Sequence, residues 1–187
     1  SEILISVGQC RFFVWSNIVQ IYKINRPAQL IVINMKMTNS PYTLESATND
    51  DIEFIYRLRI QTMKPFFEPT IGWNDKEQYQ SAAENIEETK IIIHNSNKIG
   101  AVKILERPDF IVLHQIQVMP KSQNHGIGSS ILQMAIKRSN QLGLPIKLMV
   151  MRNTPAQTMY ETHGFKEIES YEYYLEMCRQ PAEIKYK

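Results

Sequence analysis

The segment "QNHGIGSS", residues 123–130, places two glycines at the start of a stretch with helical spacing. The first backbone N–H groups of a helix have no partner within it, and they lie at the positive end of the helix dipole. Glycine lets an anion approach these groups, because no Cβ blocks the way and φ is free to be positive. Gly126 and Gly128 therefore indicate that the backbone of residues 123–129 binds a diphosphate.

The glycine pair alone leaves a second interpretation open, since a tight turn with close helix packing uses glycine in the same way. Two familiar phosphate-binding loops are excluded by the spacing. The G-x-G-x-x-G fingerprint needs a third glycine and the P-loop needs a lysine followed by serine or threonine, and the segment has neither.

Two longer motifs identify a resemblance. "IQVMPKSQNHGIGSSIL", which ends at Leu132, resembles the central motif of the GNAT family of N-acetyltransferases, V-x-P and then Q/R-x-x-G-x-G/A at the head of a helix. "RNTPAQTMYETHGF", which ends at Phe165, resembles the family's N-x-x-A-x-x-x-Y-E-x-x-G-F. The motifs stand in the family's order and separation, and the resemblance extends from about residue 42 to the C-terminus.

The resemblance implies acetyl-CoA as the acetyl donor. The family's pyrophosphate loop corresponds to seven consecutive residues here: Gln123, Asn124, His125, Gly126, Ile127, Gly128 and Ser129. The pantetheine arm would pair with the backbone of Ile116 and Val118, where the family's sheet splays apart. Asn153 would contact the cofactor or cap the following helix. His125 would donate to the phosphates, as Lys or Arg does in relatives, or be solvated.

Acetyl transfer requires a neutral amine, yet an alkylamine with a pKa of about 10.4 is neutral in only about one molecule in 10³ at neutral pH. A base is therefore needed, and the leaving thiolate benefits from an acid. In the family, the tyrosine of the second motif, here Tyr160, donates a proton to the thiolate or holds the sulfur by a hydrogen bond. Core packing is the alternative for Tyr160.

His114 is the candidate base. The strand period of two places it on the same face as Ile116 and Val118, and in the family this neighbourhood often holds glutamate or histidine. The unperturbed pKa of histidine, about 6.5, suits the role. The alternative is a histidine that is satisfied within the sheet.

The acceptor should lie between the first two helices and the end of the sheet, where the segment "PFFEPTIGWND" falls. Phe66, Phe67 and Trp73 lie near Glu68 and Asp75 in this segment, and ring faces combined with carboxylates suit a cationic amine. The alternative is that these aromatic residues form a lid or part of the core.

The spacing of apolar residues predicts the element order β, α, α, β, β, β, α, β, α, β, β. The first helix, over 50–63, is predicted between an N-cap at Thr48 or Asn49 and Pro65, with these residues on one face: Ile52, Ile55, Leu58 and Thr62. The other predicted boundaries are a strand from residue 42, a helix over 76–88, two strands around a turn at 95–98, a strand over 110–119, a helix from the glycine loop to 142, a strand over 146–151, a helix over 155–162 and a final strand pair. This order predicts a mixed α/β (α+β) sheet. The resemblance specifies the GNAT fold, a mostly antiparallel sheet splayed at the acetyl-CoA site and flanked by about four helices.

The chain of 187 residues carries a formal net charge of +2 and 43% hydrophobic residues, which predicts one domain with a sizeable core. We expect a GNAT domain over residues 37–187. Residues 1–36 are expected to be an N-terminal extension, either appended to the core domain or packed as a short hairpin or helix on the domain or on a partner. Cys10 and Cys178 have no metal-ligand spacing, so we expect neither a metal site nor a disulfide.

No run of like charge favours nucleic acid as a partner, and no apolar run reaches the ~20 residues of a membrane span. With no recognisable signal peptide, a cytoplasmic location is expected. The expected partner is a small-molecule or peptide amine; polyamines, antibiotics, peptide N-termini and lysine side chains remain open, as does a homodimer.

The predicted function is transfer of acetyl from acetyl-CoA to a primary amine by direct attack in a ternary complex, since neither cysteine lies near a motif. A non-catalytic acyl-CoA-binding or regulatory module on the same fold is the first alternative. A nucleotide-binding α/β protein is the second.

Overall fold

The structure, a computed structural model, describes residues 41–182. The predicted extension over residues 1–36 lies outside the described residues, and so does Cys10. Cys178 is a buried free thiol. Among the helices that the structure describes, none is long and apolar enough to cross a membrane.

One sheet organises the described part of the chain. Its seven strands are β1 (Tyr42–Ser46), β2 (Lys90–His94), β3 (Asn97–Glu106), β4 (Ile111–Val118), β5 (Ile146–Met151), β6 (Lys166–Ser170) and β7 (Tyr174–Arg179). They lie in the order β1-β2-β3-β4-β5-β7-β6; β4 and β5 are parallel and every other neighbouring pair is antiparallel. The predicted mixed, mostly antiparallel sheet is confirmed.

Five α-helices accompany the sheet within residues 41–182: α1 (Ile52–Thr62), α2 (Lys64–Phe67), α3 (Asp75–Ala83), α4 (Ile127–Leu142) and α5 (Pro155–Thr162). The predicted cap of the first helix is confirmed, because Thr48 and Asp51 form a capping box around a 3-10 turn, and the Thr48 N–H donates to the Asp51 carboxylate at 2.8 Å. Gly143, at φ 68°, ends α4 as predicted.

Two helix boundaries differ from the prediction. Pro65 does not begin a loop but lies in the first turn of the short helix α2, where its missing N–H leaves no hydrogen bond unmade. The helix predicted over 76–88 ends at Ala83, because Asn85 adopts a left-handed conformation with φ 49° and starts a separate 3-10 turn, Ile86–Glu88.

Apolar side chains cover both faces of the sheet. Beneath α4 and α5, the largest cluster includes these buried residues: Ile131, Leu132, Ala135, Ile146, Leu148 and Leu175. Beneath α1 and α3, a smaller cluster includes Ile55, Leu58, Ala82, Ile91 and Ala101. The sheet is therefore the central layer, and helices fix the position of β4 from both sides.

The pairing between β4 and β5 covers only the start of both strands. Ile111 pairs with Ile146 and Val112 pairs with Lys147, and the register contains no further pairs between these strands. β5 instead pairs along its whole length with β7. From Leu113 onward, the edge of β4 is separated from β5, and the sheet is open there.

A β-bulge interrupts β4 at His114. Lys103 pairs with Gln115 and Ile104 pairs with Leu113, so His114 is an extra residue without a partner position on β3. Side chains no longer alternate strictly across this point. The period of two that placed His114 on the face of Ile116 and Val118 is therefore interrupted at His114, and that placement stays a prediction.

Gly100 lies where β3 and β4 approach each other closely. A Cβ at this position would stand 2.3 Å from the Gln117 carbonyl oxygen and 2.9 Å from the Ile92 side chain. We predict that Gly100→Ala lowers the free energy of unfolding by about 1–3 kcal/mol, because backbone has to move to admit the methyl group. Urea unfolding of both proteins measures the difference.

Gly128→Ala is the matched control for Gly100→Ala. Its Cβ would meet Met159 at 3.6 Å, which is an ordinary contact distance. Its free energy of unfolding should stay within about 0.5 kcal/mol of the wild type, so equal losses in the two variants would contradict the role assigned to Gly100.

Candidate functional site

The opening between β4 and β5 leads into a cleft of about 530 Å³. All the predicted site residues except two line it: His114, Ile116, Val118, Gln123, Asn124, Gly126, Ile127, Gly128, Ser129 and Tyr160. His125, which is exposed, and Asn153 are not among the lining residues. The α1–α2 end of the cleft is formed by Arg59, Thr62, Met63, Phe66 and Phe67.

The two glycines of the loop serve different purposes. Gly126 is the N-cap of α4 and has φ 75°, a conformation that favours glycine. The first bond of the helix runs from the Ser130 N–H to the Gly126 carbonyl at 2.9 Å, so the N–H groups of Ile127 to Ser129 have no intrahelical acceptor. Gly128 faces the gap between β4 and α5, where its missing side chain leaves the backbone accessible.

The backbone of β4 turns hydrogen-bonding groups toward the opening. The Met119 N–H donates to the Ile99 carbonyl at 2.8 Å, so this residue faces β3. Backbone groups alternate sides along an antiparallel strand. Gln117 therefore also faces β3, whereas Ile116 and Val118 direct their N–H and C=O groups to the open side.

Gln123 ties the loop to the end of β4. Its side-chain amide donates to the Val118 carbonyl at 2.8 Å, which is consistent with that carbonyl facing away from β3. The side-chain amide nitrogen of Gln123 therefore donates its hydrogen bond within the protein.

Asn153 does not cap the helix that follows it. Thr154 is the N-cap of α5, and its hydroxyl accepts from the Gln157 N–H at 3.4 Å. Asn153 adopts a left-handed conformation with φ 58°, and its N–H donates to the Gln157 side chain at 2.8 Å. The capping alternative for Asn153 is wrong, because the cap lies one residue later.

Tyr160 is 6% exposed and lines the cleft from α5. Its ring packs against Phe165 with the centroids 5.6 Å apart. Burial raises the pKa of the Tyr160 hydroxyl well above its ordinary value. The hydroxyl therefore keeps its proton at neutral pH.

Residues 69–179 match the family model described as "Acetyltransferase (GNAT) domain", and they make up more than half of the chain. The chain belongs to the GNAT family of acetyltransferases. Members of this family use acyl-CoA. Among curated proteins, none matches the sequence.

Solved structures at low identity share the fold of this acetyltransferase. The PaiA N-acetyltransferase of Thermoplasma acidophilum, in complex with coenzyme A, is 17% identical over 75% of this chain and 99% of its own, with a TM-score of 0.62. An acetyltransferase of Thermus thermophilus is 12% identical over 77% and 99%, with a TM-score of 0.60. The ribosomal-protein-S18-alanine N-acetyltransferase of Escherichia coli is 18% identical over 78% and 99%, with a TM-score of 0.56. The predicted GNAT fold is confirmed.

His114 of this acetyltransferase is half-buried in the cleft wall, and its Nδ1 atom is shielded from solvent. Burial lowers the pKa of the imidazole, and the charges of Lys103, Arg59 and Arg107 lower it further, to about 4. The side chain is neutral at pH 7. The pKa of His114 is therefore below the ordinary histidine value considered from the sequence. The sequence did not indicate this shift, because the cations come from segments that include α1 and β3, which are distant in sequence.

The aromatic residues after α1 divide between cleft and core. Phe66 and Phe67 line the cleft. Phe67 also packs edge-on against Trp73, at 6.2 Å between centroids, and against Tyr174, at 6.3 Å. Trp73 itself lies in this cluster rather than among the lining residues. The core-packing alternative holds for Phe67 and Trp73.

The two carboxylates of the same segment, Glu68 and Asp75, make their contacts outside the cleft. Asp75 accepts hydrogen bonds from the Tyr56 hydroxyl at 2.7 Å and from the Trp73 ring N–H at 2.9 Å. Glu68 pairs with Lys64 at 3.7 Å. Neither carboxylate lines the cleft, so Glu68 and Asp75 do not supply the negative charge that a pocket for a cationic amine would need there.

Several lining residues were not predicted from the sequence: Arg59, Met63, Gln115, Gln117, Met149 and Met151. One of these residues, Arg59, could have been recognised from the sequence. Arg59 lies four residues after Ile55, so helical spacing places it beside the predicted apolar face of α1. A charged residue at such a position indicates a special environment.

We predict that His114→Gln flattens the dependence of stability on pH between 6.5 and 4. The folded imidazole, with a pKa of about 4, binds a proton less readily than the unfolded one, so the wild type loses stability as pH falls through this window. The lost free energy should be on the order of 3 kcal/mol at most. Thermal unfolding at half-unit pH steps measures it.

His125→Gln is the matched control for His114→Gln, because it removes an exposed imidazole and leaves the half-buried imidazole of His114 in place. It should retain the wild-type slope. Parallel curves for wild type and His114→Gln would show that His114 titrates as an ordinary histidine.

Proposed function

We propose that this acetyltransferase moves the acetyl group of acetyl-CoA to a primary amine by direct attack within a ternary complex. One observation carries the proposal. The edge of β4 that is released from β5 ends beside the N-terminus of α4, so a free strand edge and an anion-binding helix start lie in a single cleft.

Coenzyme A matches both parts of this site. Its pyrophosphate would accept from the N–H groups at the start of α4, and its pantetheine amides would extend the sheet along β4. Because Gln123 occupies the Val118 carbonyl, the Val118 N–H and the backbone of Ile116 are the groups available to the arm. The fit is supported by Gly126 and Gly128, since a side chain at Gly128 would enter the gap beside Met159.

Tyr160 is proposed as the general acid. In the reaction, the C–N bond forms and the C–S bond breaks, while the amine loses one proton and the thiolate gains one. The raised pKa of Tyr160 keeps its proton in place until the sulfur becomes basic. Its position on α5, facing the β4 edge across the cleft, suits contact with the thioester.

His114 is proposed as the proton acceptor. With a pKa of about 4, it is too weak a base to deprotonate a free alkylammonium efficiently. The nitrogen becomes far more acidic once the C–N bond has formed, and a neutral imidazole then suffices. Since Nδ1 is shielded, the proton would pass to Nε2. The acceptor would enter as the neutral amine, whose fraction already falls as pH drops below the amine pKa. Protonation of His114 would add a second loss of activity near pH 4, below the ordinary histidine range.

We predict that Gly128→Val weakens coenzyme A binding at least tenfold, because the added side chain would occupy the gap between β4 and α5. Isothermal calorimetry measures the dissociation constant. Gln133→Val, at an exposed position of the same helix, is the control and should bind like the wild type. If Gly128→Val bound coenzyme A as tightly as the wild type, the proposal that the coenzyme occupies this gap would be contradicted.

We predict that Tyr160→Phe lowers kcat at least tenfold, and up to the 10²-fold or more that general acids contribute. Acetyl-CoA affinity should change less than about twofold, since the ring remains in place. Release of free thiol and mass spectrometry of the acetylated amine measure turnover.

Tyr171→Phe, which removes an exposed hydroxyl outside the cleft, should leave turnover unchanged. Full activity of Tyr160→Phe would exclude the acid role. Coenzyme binding by the wild type without thiol release on any amine would instead favour a non-catalytic acyl-CoA-binding module.

A further inference from the structure

Phe66 is a large apolar side chain that the fold leaves partly uncovered. It lies in α2, is 39% exposed, and lines the α1–α2 end of the cleft. Its neighbour Phe67 is 3% exposed and packs against Trp73 and Tyr174. Phe66 is not among the residues of that cluster. Because exposed apolar surface is unfavourable in water, binding of an apolar group over the Phe66 ring would be favourable.

Methionine side chains continue the apolar surface from Phe66 along the cleft. Met63, Met149 and Met151 line the cleft, and each belongs to the cluster around Phe67 or packs against it. We call Met63, Phe66, Met149 and Met151 the apolar wall. Methionine is unbranched and flexible, so it fits its surface to groups of different shape. The apolar wall is therefore suited to a hydrocarbon group without being specific for one outline.

The polar side chains beside the apolar wall are hydrogen-bonded within the protein. The Thr62 hydroxyl donates to the Leu58 carbonyl at 2.8 Å, and the Arg59 guanidinium donates to the Gln78 side chain. Within residues 41–182, no Asp or Glu side chain lines the cleft. A second ammonium group on an acceptor would therefore meet no carboxylate there, and burying it without one would be unfavourable.

We propose that the acetyl acceptor is a primary amine whose substituent is apolar, and that this substituent packs on the apolar wall with Phe66 as a specificity-determining residue. The inference rests on the proposed acetyl transfer and deepens it by naming a substrate class. Alkylamines and arylalkylamines belong to this class. Polyamines and hydroxyalkylamines do not, because they would bring a charge or a hydroxyl against the apolar wall.

Matched acceptors test the substrate class. Hexylamine, 5-aminopentanol and 1,5-diaminopentane have the same number of non-hydrogen atoms and differ only in the terminal group, and thiol release gives kcat/KM for each. Hexylamine should exceed 5-aminopentanol by about tenfold or more, with 1,5-diaminopentane the poorest acceptor. From propylamine to hexylamine, each methylene should raise kcat/KM about two- to fourfold. A ratio of hexylamine to 5-aminopentanol near one, or a preference for the diamine, would overturn the proposal.

Phe66→Ala tests the specificity-determining residue. The ratio of kcat/KM for hexylamine to that for 5-aminopentanol should fall about fivefold, through a higher KM for hexylamine, because the ring no longer covers the alkyl chain. Phe66→Leu restores an apolar side chain and should recover most of the ratio. If Phe66→Ala keeps the wild-type ratio, Phe66 does not determine specificity.

Tyr171→Ala is the matched control for Phe66→Ala. Tyr171 is also 39% exposed, and it does not line the cleft, so the variant removes an aromatic ring of equal exposure elsewhere. Its ratio of hexylamine to 5-aminopentanol should equal that of the wild type. An equal fall in both variants would attribute the effect to a general loss of surface rings and overturn the role of Phe66.

Calorimetric binding of the same amines to enzyme loaded with coenzyme A makes the test independent of turnover. If coenzyme A binds and no amine releases thiol, the proposed acetyl transfer fails, and the ratio of the binding constants still decides whether the cleft prefers an apolar substituent. If hexylamine and 5-aminopentanol release thiol equally and bind equally, acetyl transfer stands and the proposed substrate class fails.

Discussion

Backbone N–H and C=O groups need hydrogen-bond partners wherever water is scarce, and β4 obtains them from β5 at only two residues, Ile111 and Val112. The rest of this edge of β4 lies in the cleft between helices. It is recessed there, away from the sheet of any other molecule. A bound extended chain is able to satisfy such an edge without aggregation of the protein. The glycine loop at the start of α4 and Tyr160 on α5 are both placed relative to this edge, so the cleft, the proposed coenzyme site and the proposed acid depend on the same interruption of the sheet.

Burial assigns opposite protonation states to the two proposed catalytic groups. Tyr160 keeps its proton because burial would desolvate the phenolate, and His114 stays neutral because burial and then the charges of Lys103 and Arg59 disfavour the imidazolium. A donor and an acceptor therefore coexist in one cleft at neutral pH. Arg59 contributes to this difference, since its charge lowers the proton affinity of His114.

The sequence was sufficient for features that depend on neighbours along the chain. Apolar and turn-forming residues predicted every strand, and all four longer helices were expected, although the helix predicted over 76–88 ends at Ala83. The glycine loop was recognisable because its candidate ligand-binding groups are consecutive. Features that depend on distant segments were not predictable. The bulge at His114 arises from the pairing of β4 with β3, the pKa of His114 depends on Arg59, and Asp75 is held by Tyr56 rather than by a ligand. No local pattern reports these contacts.

The bond between Gln123 and the Val118 carbonyl has a thermodynamic consequence. Ordering the backbone of a flexible loop costs roughly 1–2 kcal/mol per residue, and a loop that becomes ordered only on contact with its ligand subtracts that cost from affinity. Here the bond fixes Gln123 of the loop to the end of β4 within the protein itself. In the proposed complex, the loop would meet the coenzyme with its backbone already arranged, so discrimination at this end of the cleft would rely on existing shape rather than on closure around the ligand.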